Sequence, residues 1–160
     1  MSVFAWRIAT DTPDYTADDT TGKGAFGSGG RWNRIGTPML YAAGSLALAC
    51  LETLVHLGAD DLPLNRYLVE IEIPDDVWSR TLAFDRAKNV GWDASPAGKA
   101  SLDAGDQWIA ARTSLLLTVP SAIVPEESNL LINPLHADLT RLLLRKVRRW
   151  TYDTRLRKTR

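Results

Sequence analysis

Histidine and cysteine are nearly absent from this chain of 160 residues, which holds only His56, His136 and Cys50. A lone thiol excludes an internal disulfide and a cysteine cage for zinc. Two isolated histidines, with no H-E-x-x-H pair, give no metal site, and none is expected. Cys50 lies in an apolar run where packing is its expected role, and both histidines read as capping or packing residues. Nowhere do eighteen apolar residues follow one another, and the first eight show no apolar run behind positive charge. No membrane segment is therefore expected, and the protein is placed in the cytoplasm. A G-x-S-x-G elbow is missing too, which argues against a hydrolase serine.

The chain has 45% hydrophobic and 24% charged residues, the composition of a soluble globular protein. Its length suits one domain, 1–160, and no repeat or Pro/Ser-rich linker divides it. The 19 basic and 19 acidic side chains cancel but are unevenly placed. Residues 141–160 carry nine Lys/Arg against Asp153 alone. A basic end of this kind suits nucleic acid, a solvated helix terminus or an acidic partner, and the last two carry more weight.

Strand patterns fall on Phe4 to Ile8, Arg31 to Asn33, Met39 to Ala42, Tyr67 to Ile73, Leu115 to Val119 and Asn129 to Asn133. Helices are expected from Ser45 to about Leu57, with Gly58 as the stop, over Lys99 to Arg112, and over His136 to Arg145. Trp150 to Asp153 is expected to pair at a sheet edge. Strands and helices mix without strict βαβ alternation, which points to an α+β fold. The literal G-x-G-x-x-G at Gly22 to Gly27 follows a polar stretch and opens no helix pattern, so it is not read as a dinucleotide fingerprint.

One stretch concentrates unusual residues. Arg31 follows two glycines, Tyr41 ends an apolar segment, and Glu52 sits within Leu46-Ala47-Leu48-Ala49-Cys50-Leu51-Glu52-Thr53-Leu54-Val55-His56, each about ten positions from the last. At 100° per residue Ser45, Ala49, Glu52 and His56 share one stripe of a helix otherwise apolar around its circumference, which predicts burial. A buried carboxylate costs several kcal/mol, roughly, unless partnered. A salt bridge from Glu52 to Arg31 and a catalytic role weigh equally here. Arg31 suits phosphate oxygens by its planar fork, Tyr41 packs by default, and Ser121 reads as a turn residue or a ligand contact.

With those residues the chain resembles the RES-domain family, the toxin halves of Xre–RES toxin–antitoxin pairs. The likeness runs through Trp6-Arg7, Gly29-Gly30-Arg31-Trp32-Asn33, Tyr41-Ala42, Leu51-Glu52 with His56, Val119-Pro120-Ser121, Asn129, Leu131-Ile132-Asn133-Pro134, His136 and Asp153-Thr154-Arg155-Leu156. The resemblance implies a compact fold similar to diphtheria-toxin-like ADP-ribosyltransferases, with NAD⁺ consumed as substrate and no bound cofactor. It places catalysis on Glu52, Arg31, Tyr41 and Ser121, and NAD⁺ binding on Arg31, Tyr41, Ser121, Asn129 and Asn133. Glu52 would stabilise the oxocarbenium-like sugar, Arg31 would grip pyrophosphate, Tyr41 would stack on nicotinamide, and Ser121 would orient a ribose or the carboxylate. The implied partner is an Xre-family helix-turn-helix antitoxin, with DNA contacted only through it; a homodimer stays open. Hydrolysis or phosphorolysis of NAD⁺ leads, with ADP-ribosylation of a protein and a non-enzymatic interaction module as alternatives.

Overall fold

The computed structural model describes residues 1–57 and 62–156. Its frame is a seven-stranded sheet in the order β4-β5-β6-β2-β1-β3-β7. The strands are β1 (Ser2–Thr10), β2 (Leu40–Ala43), β3 (Arg66–Pro74), β4 (Leu82–Ala83), β5 (Leu116–Pro120), β6 (Ser128–Ile132) and β7 (Leu143–Arg149). Among the described strands only the short β4 runs parallel to its neighbour, β5. The helices are α1 (Lys23–Ser28), α2 (Leu46–Leu54), α3 (Asp75–Trp78) and α4 (Lys99–Ala111), and no described helix is long and apolar enough to cross a membrane. The mixture of strands and helices agrees with the α+β expectation.

Alternation along the strands divides the core into two layers. On one face Ala5, Leu40, Ala42, Val69, Ile71, Leu116, Leu130 and Ile132 pack beneath Val77 and Trp78 of α3 and beneath Leu142. The other face carries two helices. Leu48 and Ala49 of α2 lie on Ile8, Ala43 and Leu68, while Trp108 and Ile109 of α4, with Trp32 and Trp92, lie on Leu117, Val119 and Leu131. Glycine makes the second contact possible, because a Cβ at Gly105 would overlap the Trp32 carbonyl.

Several expectations need correction. Arg31 to Asn33 is a turn closed by a single bridge between Gly30 and Asn33, since the loop's polar groups are satisfied locally and not by a neighbouring strand. The glycine-rich stretch holds the short α1, entered through Gly22 at φ 73°. His136 to Arg145 is not a helix: a 3₁₀ turn spans Ala137–Arg141 and the chain then extends as β7. Cross-strand charge decides this. Extended, Arg145 meets both Glu70 and Glu72, at 2.7 and 2.9 Å, and Lys146 meets Asp11 at 2.8 Å.

On this side the edge strand is accordingly β7, and Trp150 to Asp153 forms no strand, its pairing limited to the Trp150 N–H on the Arg66 carbonyl of β3 at 2.9 Å. There the chain turns inward, so that Trp150 packs against the α2 cluster and Tyr152 hydrogen-bonds Thr53 at 2.7 Å. Nor is α2 buried around most of its circumference; Leu46 and Val55 are 39% and 57% exposed, and His56 is exposed. The proposed stop at Gly58 lies outside the described residues, as do residues 157–160 of the basic segment.

Candidate active site

The candidate site forms on the face that carries α2 and α4. Ser45 caps α2 by accepting the Leu48 N–H at 3.1 Å. Glu52 lies one helical turn beyond the buried Leu48 and Ala49, so the same side of the helix that grips the sheet aims its carboxylate toward β5 and β6. Glu52 Oε1 accepts the Ser121 hydroxyl at 2.6 Å and the Asn129 amide N–H at 2.7 Å. Among the described residues no hydrogen bond reaches Oε2. One oxygen is fastened by two bonds and the other by none.

Ser121 is placed by the end of β5. It is fully buried, its N–H donates to the Glu127 carbonyl at 2.9 Å, and its hydroxyl oxygen accepts the N–H groups of Ile123 and Val124 at 3.1 Å each. With both acceptor directions occupied, the hydroxyl proton is committed to Glu52. Asn129 sits on β6 opposite Ala43 of β2, and Tyr41 opposite Leu131. Tyr41 and Asn129 are therefore diagonal neighbours on one face, about 7–8 Å apart between backbones. The Asn129 side-chain oxygen is buried without a partner.

The Tyr41 hydroxyl is already engaged, donating to Asn33 Oδ1 at 2.6 Å and accepting the Trp32 N–H at 3.0 Å. Burial pushes its pKa well above the ordinary phenol value, opposed in part by the Trp32 N–H and by the Arg31 charge. Arg31 follows immediately on the tight Gly29-Gly30 approach, where a Cβ on Gly30 would stand 2.6 Å from the Tyr41 hydroxyl. Its Nη1 donates to the Trp92 and Ala94 carbonyls at 3.1 and 2.7 Å, so backbone dipoles hold the guanidinium in place. No ion pair among the described residues joins Arg31 to Glu52.

Glu52, Ser121 and Asn129 thus form one cluster, and Arg31 and Tyr41 a second, joined through the β2–β6 pair. Asn133 belongs to neither: it is fully buried, with its amide N–H on the Ile109 carbonyl at 3.1 Å and its oxygen on the Leu135 N–H at 2.9 Å. His56 is exposed beyond the helix. Among the described residues no cluster of His, Cys, Asp or Glu is suited to a metal.

Two residues of this region stand in the sequence motifs without an assigned role. Asn33 is 1% exposed and donates to the carbonyls of Ala25, Arg34 and Thr37; the glycine-rich turn before it was the available signal. Arg7, on β1, donates to the Tyr41 carbonyl at 3.1 Å, its Nε buried without a partner and its pKa drawn below the usual guanidinium value by desolvation. Alternation alone made it a strand residue without a task.

Sheet, helices and site together define a mixed α/β protein in which one carboxylate is fastened by a hydroxyl and an amide beside an arginine-bearing loop. The chain belongs to the RES-domain family, whose profile matches residues 4–155. It is 56% identical over 157 residues to the "Prs ADP-ribosylating toxin" of Sphingobium sp. (strain YBL2), covering 98% of each chain. To the protein named "Toxin Res" of Yersinia enterocolitica it is 43% identical over 123 residues, 76% of this chain and 79% of the relative. A second "Toxin Res", from Pseudomonas putida, is 38% identical over 153 residues, 94% of this chain and 97% of the relative.

Proposed function

We propose that this chain is a toxin that cleaves the nicotinamide–ribose bond of NAD⁺ and transfers ADP-ribose to a protein. The observation that carries this reading is the Glu52 carboxylate, with Oε1 held by Ser121 and Asn129 and Oε2 free. As the bond from ribose C1′ to the pyridinium nitrogen breaks, its electron pair neutralises the leaving nicotinamide and positive charge develops on the sugar. A carboxylate held rigidly needs no reorganisation to meet that charge. Nicotinamide leaves as a neutral molecule, so no strong general acid is required.

Arg31 binds the pyrophosphate through the guanidinium edge not occupied by the Trp92 and Ala94 carbonyls. Tyr41 acts at the loop through its hydroxyl and presents its ring to the nicotinamide side. Ser121 and Asn129 act through Glu52. A similarity to the diphtheria-toxin-like ADP-ribosyltransferase fold belongs to the same reading, as does neutralisation by a helix-turn-helix antitoxin encoded beside the toxin.

The acceptor named in the Sphingobium relative makes Prs the first candidate here. Purified protein, labelled NAD⁺ and purified Prs would be incubated together and Prs examined by mass spectrometry. Addition of ADP-ribose to Prs supports the reading. Release of free ADP-ribose or its phosphate with Prs unmodified, and no labelled protein when a cell lysate replaces Prs, makes water or phosphate the acceptor; intact NAD⁺ removes the enzymatic reading altogether.

A further inference from the structure

We infer that Asn33 is a positioning residue that sets Arg31 through a clamp shared with the Tyr41 hydroxyl; its effect on turnover rests on the NAD⁺ reading, its effect on Arg31 on the geometry alone. Every polar atom of the Asn33 side chain is used. The amide N–H groups serve the carbonyls of Ala25, Arg34 and Thr37 at 2.9, 3.2 and 3.0 Å, and Oδ1 accepts the Tyr41 hydroxyl at 2.6 Å. The same hydroxyl accepts the N–H of Trp32, the residue next to Arg31, at 3.0 Å.

The clamp closes around Arg31 from both sides of the chain. Gly30 leaves room for it: an added Cβ would meet the Tyr41 hydroxyl at 2.6 Å and Asn33 Oδ1 at 3.0 Å. On the far side the Arg34 guanidinium pairs with Asp103 and Asp106 of α4, at 2.7 and 2.9 Å. Arg31 thus lies between two anchored points, and its guanidinium reaches the Trp92 and Ala94 carbonyls from a backbone without local freedom.

A residue that merely supports folding would lower the melting temperature and the active fraction but leave KM unchanged. A residue acting through Arg31 should instead raise KM for NAD⁺ and lose its effect once Arg31 is gone. The experiment compares Asn33→Ala in the wild-type and Arg31→Ala backgrounds by NAD⁺ turnover, and determines the crystal structure of Asn33→Ala. We expect KM to rise by about tenfold with kcat nearly kept, and no further rise in the Arg31→Ala background.

The crystal structure should show Arg31 displaced from the Trp92 and Ala94 carbonyls. An unchanged KM, an equal rise in both backgrounds, or Arg31 in its original place would each overturn the inference. If wild-type protein leaves NAD⁺ intact, the functional reading fails by itself and the crystallographic comparison still decides this one. Should Asn33→Ala not fold, Tyr41→Phe, which removes only the hydroxyl of the clamp, takes its place under the same criteria.

Discussion

Ser121 and Glu52, 69 residues apart in the chain, meet in a hydrogen bond of 2.6 Å whose direction is set by two backbone N–H groups on the serine oxygen. A buried serine at the end of β5 thereby controls the orientation of a carboxylate on α2.

Replacing Glu52 by Gln keeps an acceptor for Ser121 and removes the charge. Turnover of NAD⁺ should fall by about 10²-fold or more, the scale of a preorganised electrostatic group, while circular dichroism and melting stay near wild type. Equal turnover by the folded variant would remove Glu52 from the chemistry.

Ser121→Ala and Asn129→Ala each delete one of the two bonds to Oε1. Each should lower kcat by about tenfold with KM nearly constant, and the double variant should lose less than the product of the two, because both act on one oxygen. Steady-state kinetics of the three variants would test this; a rise confined to KM would mean that these residues touch the substrate instead.

Gly30→Ala drives a methyl against the Tyr41 hydroxyl. The expected cost is about 1–3 kcal/mol, as for other overpacked sites, or roughly 2–12 °C in melting temperature for a chain of this size. Differential scanning calorimetry measures it directly. Gly27→Ala, with nothing within 4 Å of the added Cβ, is the matched control and should stay near wild type.

Burial raises the Tyr41 pKa above its unfolded value. The stabilisation linked to its proton is therefore complete below the unfolded phenol pKa of about 10 and is lost as pH climbs toward the folded value. Tyr41→Phe should melt at a lower temperature than wild type at pH 8, with the gap narrowing at pH 11. A gap that widens with pH would contradict the assignment.

Much of the fold was legible in the chain. Alternation in Tyr67 to Ile73 located β3, and Leu115 to Val119 located β5 to within one residue, because each strand buries a face against the core. Lys99 to Arg112 matched α4 closely. Failure came where distant charge or local polar bonding outweighed pattern: β7 extends because Glu70, Glu72 and Asp11 wait beside it, and those lie far away in sequence. The residues around Arg31 form a turn for the opposite reason, since Asn33 satisfies its neighbours' carbonyls at short range.

Residue chemistry alone determined that a carboxylate in an apolar helix needed a partner, because an isolated buried charge is too costly to leave unmatched. Which partner it found was decided only by folding. Arg31, the obvious cation, went to the carbonyls of Trp92 and Ala94, while a serine and an asparagine took one oxygen of Glu52. Periodicity reports which face of an element is buried; the sheet order that sets α2 over the ends of β5 and β6 arises from pairings between remote strands, and no local pattern encodes it.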